Sequence, residues 1–279
     1  VQWKALGSMV GSWNMLVYGT GMYVMEKMSG DNKANRSPLA FFFYFLGLTN
    51  LMFNWGHHTY IVPAAPWVKT VAYVISMTEL LILGFIIMQW RKTMTQARKN
   101  YHNISYRLLS YADIWIFLNL TLAIAISVPS WNYYTHGTHI TVAHAMGTTI
   151  GINTMLLFAS VFYIIQKENN PVFEKSKPQI SWGILITNIS LLLFWGSLLG
   201  SGLLKISAKL NNEVFASIMQ KSQPWFKLFA YSGIAIFLGL FLLIYTAYKT
   251  LAANSKKNHL IEEELVTIQS ANKVAEERT

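Results

Sequence analysis

Apolar residues in this chain fall in long unbroken runs, not in the alternations of a half-buried soluble helix or strand. Seven runs can be marked, at about 6–25, 39–62, 67–90, 108–130, 138–165, 181–204 and 225–248. Each is near or above the roughly 20 residues that an α-helix needs to cross the hydrocarbon of a bilayer. Asp31, Asn32 and Lys33, and again Glu168, Asn169, Asn170 and Pro171, read as exposed turns. Pro38, Pro63, Pro66, Pro129, Pro171, Pro178 and Pro224 all fall at the edges of the runs, where breaking a helix costs least. No internal repeat or domain boundary interrupts the series. The pattern predicts an all-α, polytopic transmembrane helical bundle with seven spans over residues 1–253. A polar tail, with a short helix as an option, follows over 254–279.

Composition agrees: the 279 residues are 53% hydrophobic and 12% charged, against about 25% charged in soluble domains. The first apolar run is as long as the others and carries no cleavage pattern, so no signal peptide is expected. Val1 at the start predicts a processed chain or a fragment. Cysteine is absent, which excludes disulfides and thiolate ligation of iron. The net charge of +10 does not point to nucleic acid, because of where it sits. Lys27, Lys33, Arg36, Arg91, Lys92, Arg98, Lys99, Arg107, Lys167, Lys175, Lys177, Lys249, Lys256 and Lys257 all fall on one side of the predicted spans. The other side carries Lys4, Lys69, Lys205, Lys209, Lys221 and Lys227. The positive-inside rule then places the amino terminus outside and the carboxyl terminus in the cytoplasm. Membrane lipid is the expected surrounding partner, and Trp67, Trp131, Tyr133 and Tyr134 suit an interfacial belt on the outer side.

His57, His58 and His144 lie well inside apolar runs. Imidazole is costly in hydrocarbon, and inward-facing intramembrane histidines usually bind something or move protons. The neutral ring ligates iron, copper and zinc alike. His58 precedes Pro63 by about five residues, so the pair lies roughly 8 Å below the outer surface at about 1.5 Å per residue. His144 follows the start of the fifth run by about six residues, roughly 9 Å below the same surface. All three imidazoles are thus expected at one depth; the alternative is a set of hydrogen-bonded structural histidines. Glu79 is an acid deep in the third run, and a carboxyl there is either neutral, paired, or a proton relay. Asp113, Asn14, Asn50, Asn54, Asn119, Asn153 and Asn188 also fall in runs; buried amides more often join helices than do chemistry.

The stretch Trp131, Asn132, Tyr133, Tyr134, Thr135, His136, Gly137, Thr138, His139 through His144, Ala145, Met146 and Gly147 resembles the tenth-helix motif of the haem–copper oxidase superfamily. Its form is most similar to that of the nitric oxide reductase large (cytochrome b) subunit. Asn54, Trp55, Gly56, His57, His58, Thr59 and Tyr60 resemble the seventh-helix Gly-His-His pair. Glu79, 21 residues after His58, falls where nitric oxide reductases carry an active-site glutamate. The resemblance implies helices six to twelve of a twelve-helix subunit I, with the other helices of that subunit as a partner. It implies that His57 and His58 ligate a non-haem metal, iron or copper, and that His144 is the proximal ligand of a high-spin haem b. It also implies that His136 lies near the propionates of that haem and that Glu79 is catalytic. Met146 stands where the family places the histidine of the low-spin haem, and a thioether is a competent axial ligand.

Two departures accompany the resemblance. The family's sixth helix supplies a third histidine to the non-haem metal, and the corresponding position here is near Leu6, in a run without histidine. Val10 and Asn14 occupy the places of the helix-six glutamates of nitric oxide reductases. The implied activity is reduction of NO to N2O in a cytoplasmic (inner) membrane, with a cytochrome c-type subunit or quinol as electron donor. The alternatives are an oxygen-reducing cytochrome c oxidase subunit I and a non-catalytic haem-binding membrane protein.

Overall fold

The computed structural model describes residues 2–30, 38–53, 56, 60–168 and 171–276. Among them no strand forms. The elements are α1 (Gln2–Ser29), α2 (Pro38–Phe53), α3 (Pro66–Ser76), α4 (Glu79–Thr93), α5 (Gln96–Tyr101) and α6 (Asn103–Ser127). They continue with α7 (Pro129–Thr135), α8 (His139–Met146), a π-helical segment (Gly147–Thr154), α9 (Met155–Lys167), α10 (Pro171–Leu210) and α11 (Phe215–Glu276). Proline opens α2, α3, α7 and α10, the position where its missing N–H costs nothing and its fixed φ suits the helix.

Four described stretches are long and apolar enough to cross a membrane: α6, the continuous rod His139–Lys167, α10, and the Phe215–Ala253 part of α11. They coincide with the fourth to seventh expected spans, and the architecture is all-α and polytopic. The third expected span is not one helix. It breaks after Ser76, where Ser76 Oγ donates to the Ala72 carbonyl at 2.7 Å and Thr78 Oγ1 to the Ile75 carbonyl at 2.7 Å. Hydroxyls that bond back in this way compete with the amide ladder, and the Thr78 amide tightens onto Ile75 at 3.0 Å. A new helix, α4, then begins at Glu79.

Pro178 and Pro224 lie within α10 and α11 and do not mark their ends. Both precede the apolar part of their helix, so water at the bundle's ends can replace the lost N–H. At about 1.5 Å per residue the 40 residues of α10 extend well beyond a hydrocarbon core of about 30 Å. The 62-residue α11 runs unbroken from its membrane part into the polar tail.

The core is built around α6. Leu108, Leu109 and Ala112 are fully enclosed there and meet Phe162 of α9 and Ile184 and Leu191 of α10 in one buried apolar cluster. At the basic end of the bundle, polar cross-links replace oil. Trp90 Nε1 donates to the Met25 carbonyl at 3.1 Å, joining α4 to α1. Gln166 Nε2 donates to the Tyr101 carbonyl at 2.5 Å, joining α9 to α5. Arg107 Nη1 donates to Ser181 Oγ at 2.8 Å, joining α6 to α10. Arg91 Nε and Nη2 both donate to Asp113 Oδ2, at 3.0 and 2.8 Å, and Asp113 is 1% exposed. Asp113 is thus the buried half of an ion pair between α4 and α6.

Candidate functional site

His57 and His58 lie outside the described residues, as does the side chain of Glu79, whose backbone opens α4. The described part of the candidate site is the turn from α7 into α8 and the rod that follows. Gly137, at φ +70°, makes the turn possible in a conformation other residues adopt only under strain. Thr138 caps α8, accepting from the Ile140 amide at 3.2 Å while donating to the Thr135 carbonyl at 2.6 Å. α10 holds the turn in place: Lys205 Nζ donates to the Gly137 carbonyl at 3.0 Å, and Ser201 Oγ meets His139 Nδ1 at 3.0 Å. The His139 ring packs edge-on against Phe226 of α11, with centroids 5.3 Å apart.

His136 caps α7, its amide bonded to the Asn132 carbonyl at 2.8 Å. Its Nδ1 is buried without a hydrogen-bond partner among the described residues. His144, half-buried, lies one and a half turns into α8. Met146, two residues on, is partly buried against the central apolar cluster.

Just beyond Met146 the helix widens. The Gly147 amide divides between the carbonyls of Ala143 and His144, and Thr154 Oγ1 donates five residues back, to Thr149, at 2.8 Å. π-Helical segments of this kind are rare and occur frequently at functional sites. This one is cast against α6. A Cβ on Gly147 would run into the Asn119 side chain, and one on Gly151 would lie 2.9 Å from Trp115 Cβ. Asn119 Nδ2 donates to the His144 carbonyl at 3.0 Å and to Thr148 Oγ1 at 2.7 Å. Trp115 Nε1 donates to Asn188 Oδ1 at 3.0 Å, and Asn188 Nδ2 to the Ile184 carbonyl of its own helix at 2.8 Å. Asn119 and Asn188 are therefore the helix joints that intramembrane amides are expected to be. Sequence reasoning did not foresee that one of them closes on the backbone of His144, since its partner is set by packing 25 residues away. Lys205, Ser201 and His139 were also missed; the only sequence sign was the doubled histidine of the Thr135–His139 turn.

Residues 1–243 match the family described as Cytochrome C and Quinol oxidase polypeptide I. The chain belongs to this family. The match takes in every expected span except the last few residues of the seventh, and stops before the polar tail. A 146-residue stretch is 23% identical to cytochrome c oxidase subunit 1 of Alkalihalophilus pseudofirmus, covering 52% of this chain and 23% of that protein. The chain thus matches less than a quarter of the length of this curated relative. Subunit I proteins of the family are membrane oxidoreductases that bind haem and a further metal centre.

The described residues fit a haem. His144 supplies a half-buried imidazole on a wall whose backbone is fixed from two sides, and His136 supplies a buried ring nitrogen that has no hydrogen-bond partner among the described residues. Among the described residues no three metal-ligating side chains converge; the expected metal pair, His57 and His58, is outside them.

Proposed function

We propose that the chain is the carboxyl-terminal portion of a nitric-oxide-reductase-like subunit I. Its reaction takes two NO, two electrons and two protons to N2O and water. When bound, a high-spin haem iron and a non-haem metal supply the redox chemistry. The chain's own part is to hold and to protonate. His144 would hold the haem through its imidazole, and His136 would offer a ring nitrogen to the acidic side chains of that group. His57 and His58 hold the second metal, and a carboxylate close by makes that metal iron more readily than copper. Glu79 delivers protons from the start of α4, and Met146 offers a thioether to a low-spin haem shared with the preceding helices. The break before Glu79 supports its role, because an interrupted helix admits water and polar groups at membrane depth.

The observation that carries NO over oxygen is a missing phenol. Oxygen reduction in this superfamily uses a tyrosine linked to a metal-ligand histidine. The sixth-helix His-x-x-x-Tyr motif is absent here, and the position six residues before His57 is Leu51. The cytochrome c oxidase relative favours the second reading, oxygen reduction by the same residues.

Orientation follows the charges. Lys27, Arg91, Lys92, Arg98, Lys99, Arg107 and Lys167 cluster at the end of the bundle tied together by the Trp90–Met25 and Gln166–Tyr101 bonds, which we take as cytoplasmic. Electrons come from a cytochrome c-type subunit or quinol. The deciding experiment measures NO and oxygen consumption beside haem and metal content for the assembled protein and three variants. His144→Ala should lose the high-spin haem. His57→Ala should keep haem but lose the second metal and NO turnover, and Glu79→Gln should slow turnover by orders of magnitude. Full NO turnover in His57→Ala, or oxygen as the faster substrate of the unaltered protein, overturns the proposal.

A further inference from the structure

We infer that Asn119 is a positioning residue for His144, latching the ligand's backbone across the point where the helix changes from α to π. The inference rests on His144 being the axial ligand, as proposed above. The carbonyl of His144 lies at that switch. Besides the Gly147 amide, which it shares with Ala143, it accepts from two side chains: Asn119 Nδ2 at 3.0 Å and Thr148 Oγ1 at 3.2 Å. Asn119 also donates to Thr148 at 2.7 Å, closing a three-membered ring of hydrogen bonds.

The orientation of the amide is dictated, since a carbonyl accepts only and must face the NH2 side. The cost shows on the other side. Asn119 is 0% exposed and its Oδ1 has no hydrogen-bond partner among the described residues, an arrangement that an apolar residue of similar size would avoid. Gly147 leaves the space the amide occupies. A residue kept only to join α6 to the rod would use both ends of its amide, as Asn188 does with Trp115 and Ile184. Asn119 instead spends its donors on the backbone of the ligand and of the turn next to it. The latch acts through position, because it touches the main chain and not the imidazole. It fixes where the Cα of His144 sits against α6, and so the reach and tilt of the ring.

The test uses the assembled, haem-loaded protein and reads the iron–histidine stretching band of the ferrous high-spin haem by resonance Raman, with the rate of haem loss to an apo-globin acceptor. Asn119→Leu should shift and broaden the band and speed haem loss by about three- to twentyfold, the size of one interhelical hydrogen bond in a membrane. Asn119→Asp, neutral at this depth and still able to donate one O–H, should restore much of the band. Trp115→Phe breaks the other joint on α6 and should leave the band alone. Should Asn119→Leu not assemble, Thr148→Val removes one member of the ring and should move the band the same way by less. An unchanged band and off-rate in whichever variant assembles, or an equal shift in Trp115→Phe, overturns the inference. Retention of the high-spin haem by His144→Ala would instead overturn the ligand assignment beneath it.

Discussion

Replacing Gly151 with alanine should unfold more of this protein's architecture than one methyl group suggests. The added Cβ would lie 2.5 Å from Trp115 Cδ2 and 2.9 Å from Trp115 Cβ, atoms of a rigid ring and its stem with no flexible end to bend away. Overpacking of this kind costs about 1–3 kcal/mol. The indole cannot retreat without pulling its N–H from Asn188 Oδ1, 3.0 Å away, and an interhelical hydrogen bond in a membrane is worth about 0.6–1.7 kcal/mol. The expected loss is therefore about 2–4 kcal/mol. Gly196 on α10 is the internal control: nothing lies within 4 Å of a Cβ built there, so alanine should gain helix propensity of about 0.8–1.0 kcal/mol. Unfolding in mixed micelles under SDS titration, followed by tryptophan fluorescence, compares the two. Equal stability of the two variants would refute the claim that α6 and the π segment are in close contact at this point.

Arg91→Met leaves Asp113 buried beside an apolar chain. Because the arginine side chain is 47% exposed, the loss should be about 1–3 kcal/mol, below the range for fully buried pairs. Adding Asp113→Leu should recover most of it, and an unrecovered double variant in the same SDS titration would count against the pairing. Burial holds the His102 imidazole below its ordinary value; the Gln166 bond opposes this, while Lys167 and Arg98 reinforce it. The folded state therefore binds its proton less readily than the unfolded one, so stability should be full above about pH 6.5 and fall on acidification below it. His102→Phe should flatten that slope in melts between pH 5 and 7, and an unaltered slope would place the titration elsewhere. Met146→His should lower the midpoint potential of a low-spin haem in the assembled protein, since imidazole favours the ferric state over a thioether; an unchanged redox titration would make Met146 packing alone.

Hydropathy alone was sufficient for the last four spans, because each apolar run there is long enough to dominate any local competitor. It was blind to the break at Ser76 and Thr78, where two hydroxyls compete with the ladder inside a run that is apolar on average. It also placed Pro178 and Pro224 at helix ends; the runs end there, but the helices continue wherever water can take over the lost bond. At the site, the spacing of His136, His144 and Met146 located them on one turn and one helix. It carried nothing about Asn119, Trp115 or Lys205, whose importance lies in partners on other helices. Residue types marked the amides as joints, and only three-dimensional packing shows which joint closes on the backbone of His144.

The widened stretch between Gly147 and Thr154 has a consequence for how such a chain can change over time. An α-helix advances about 100° per residue, so an insertion or deletion in an ordinary span turns everything beyond it onto a different face. A π segment is a place where surplus length is already absorbed, in a looser coil bounded by two close contacts with α6. Loss of one residue there would let the coil tighten to α geometry while α9, with Phe162 and Tyr163, and the turn carrying His144 keep the faces they already present. The stretch carrying His144 and the stretch ending at Lys167 are thus uncoupled in length. A residue can be gained or lost between them with both left in register.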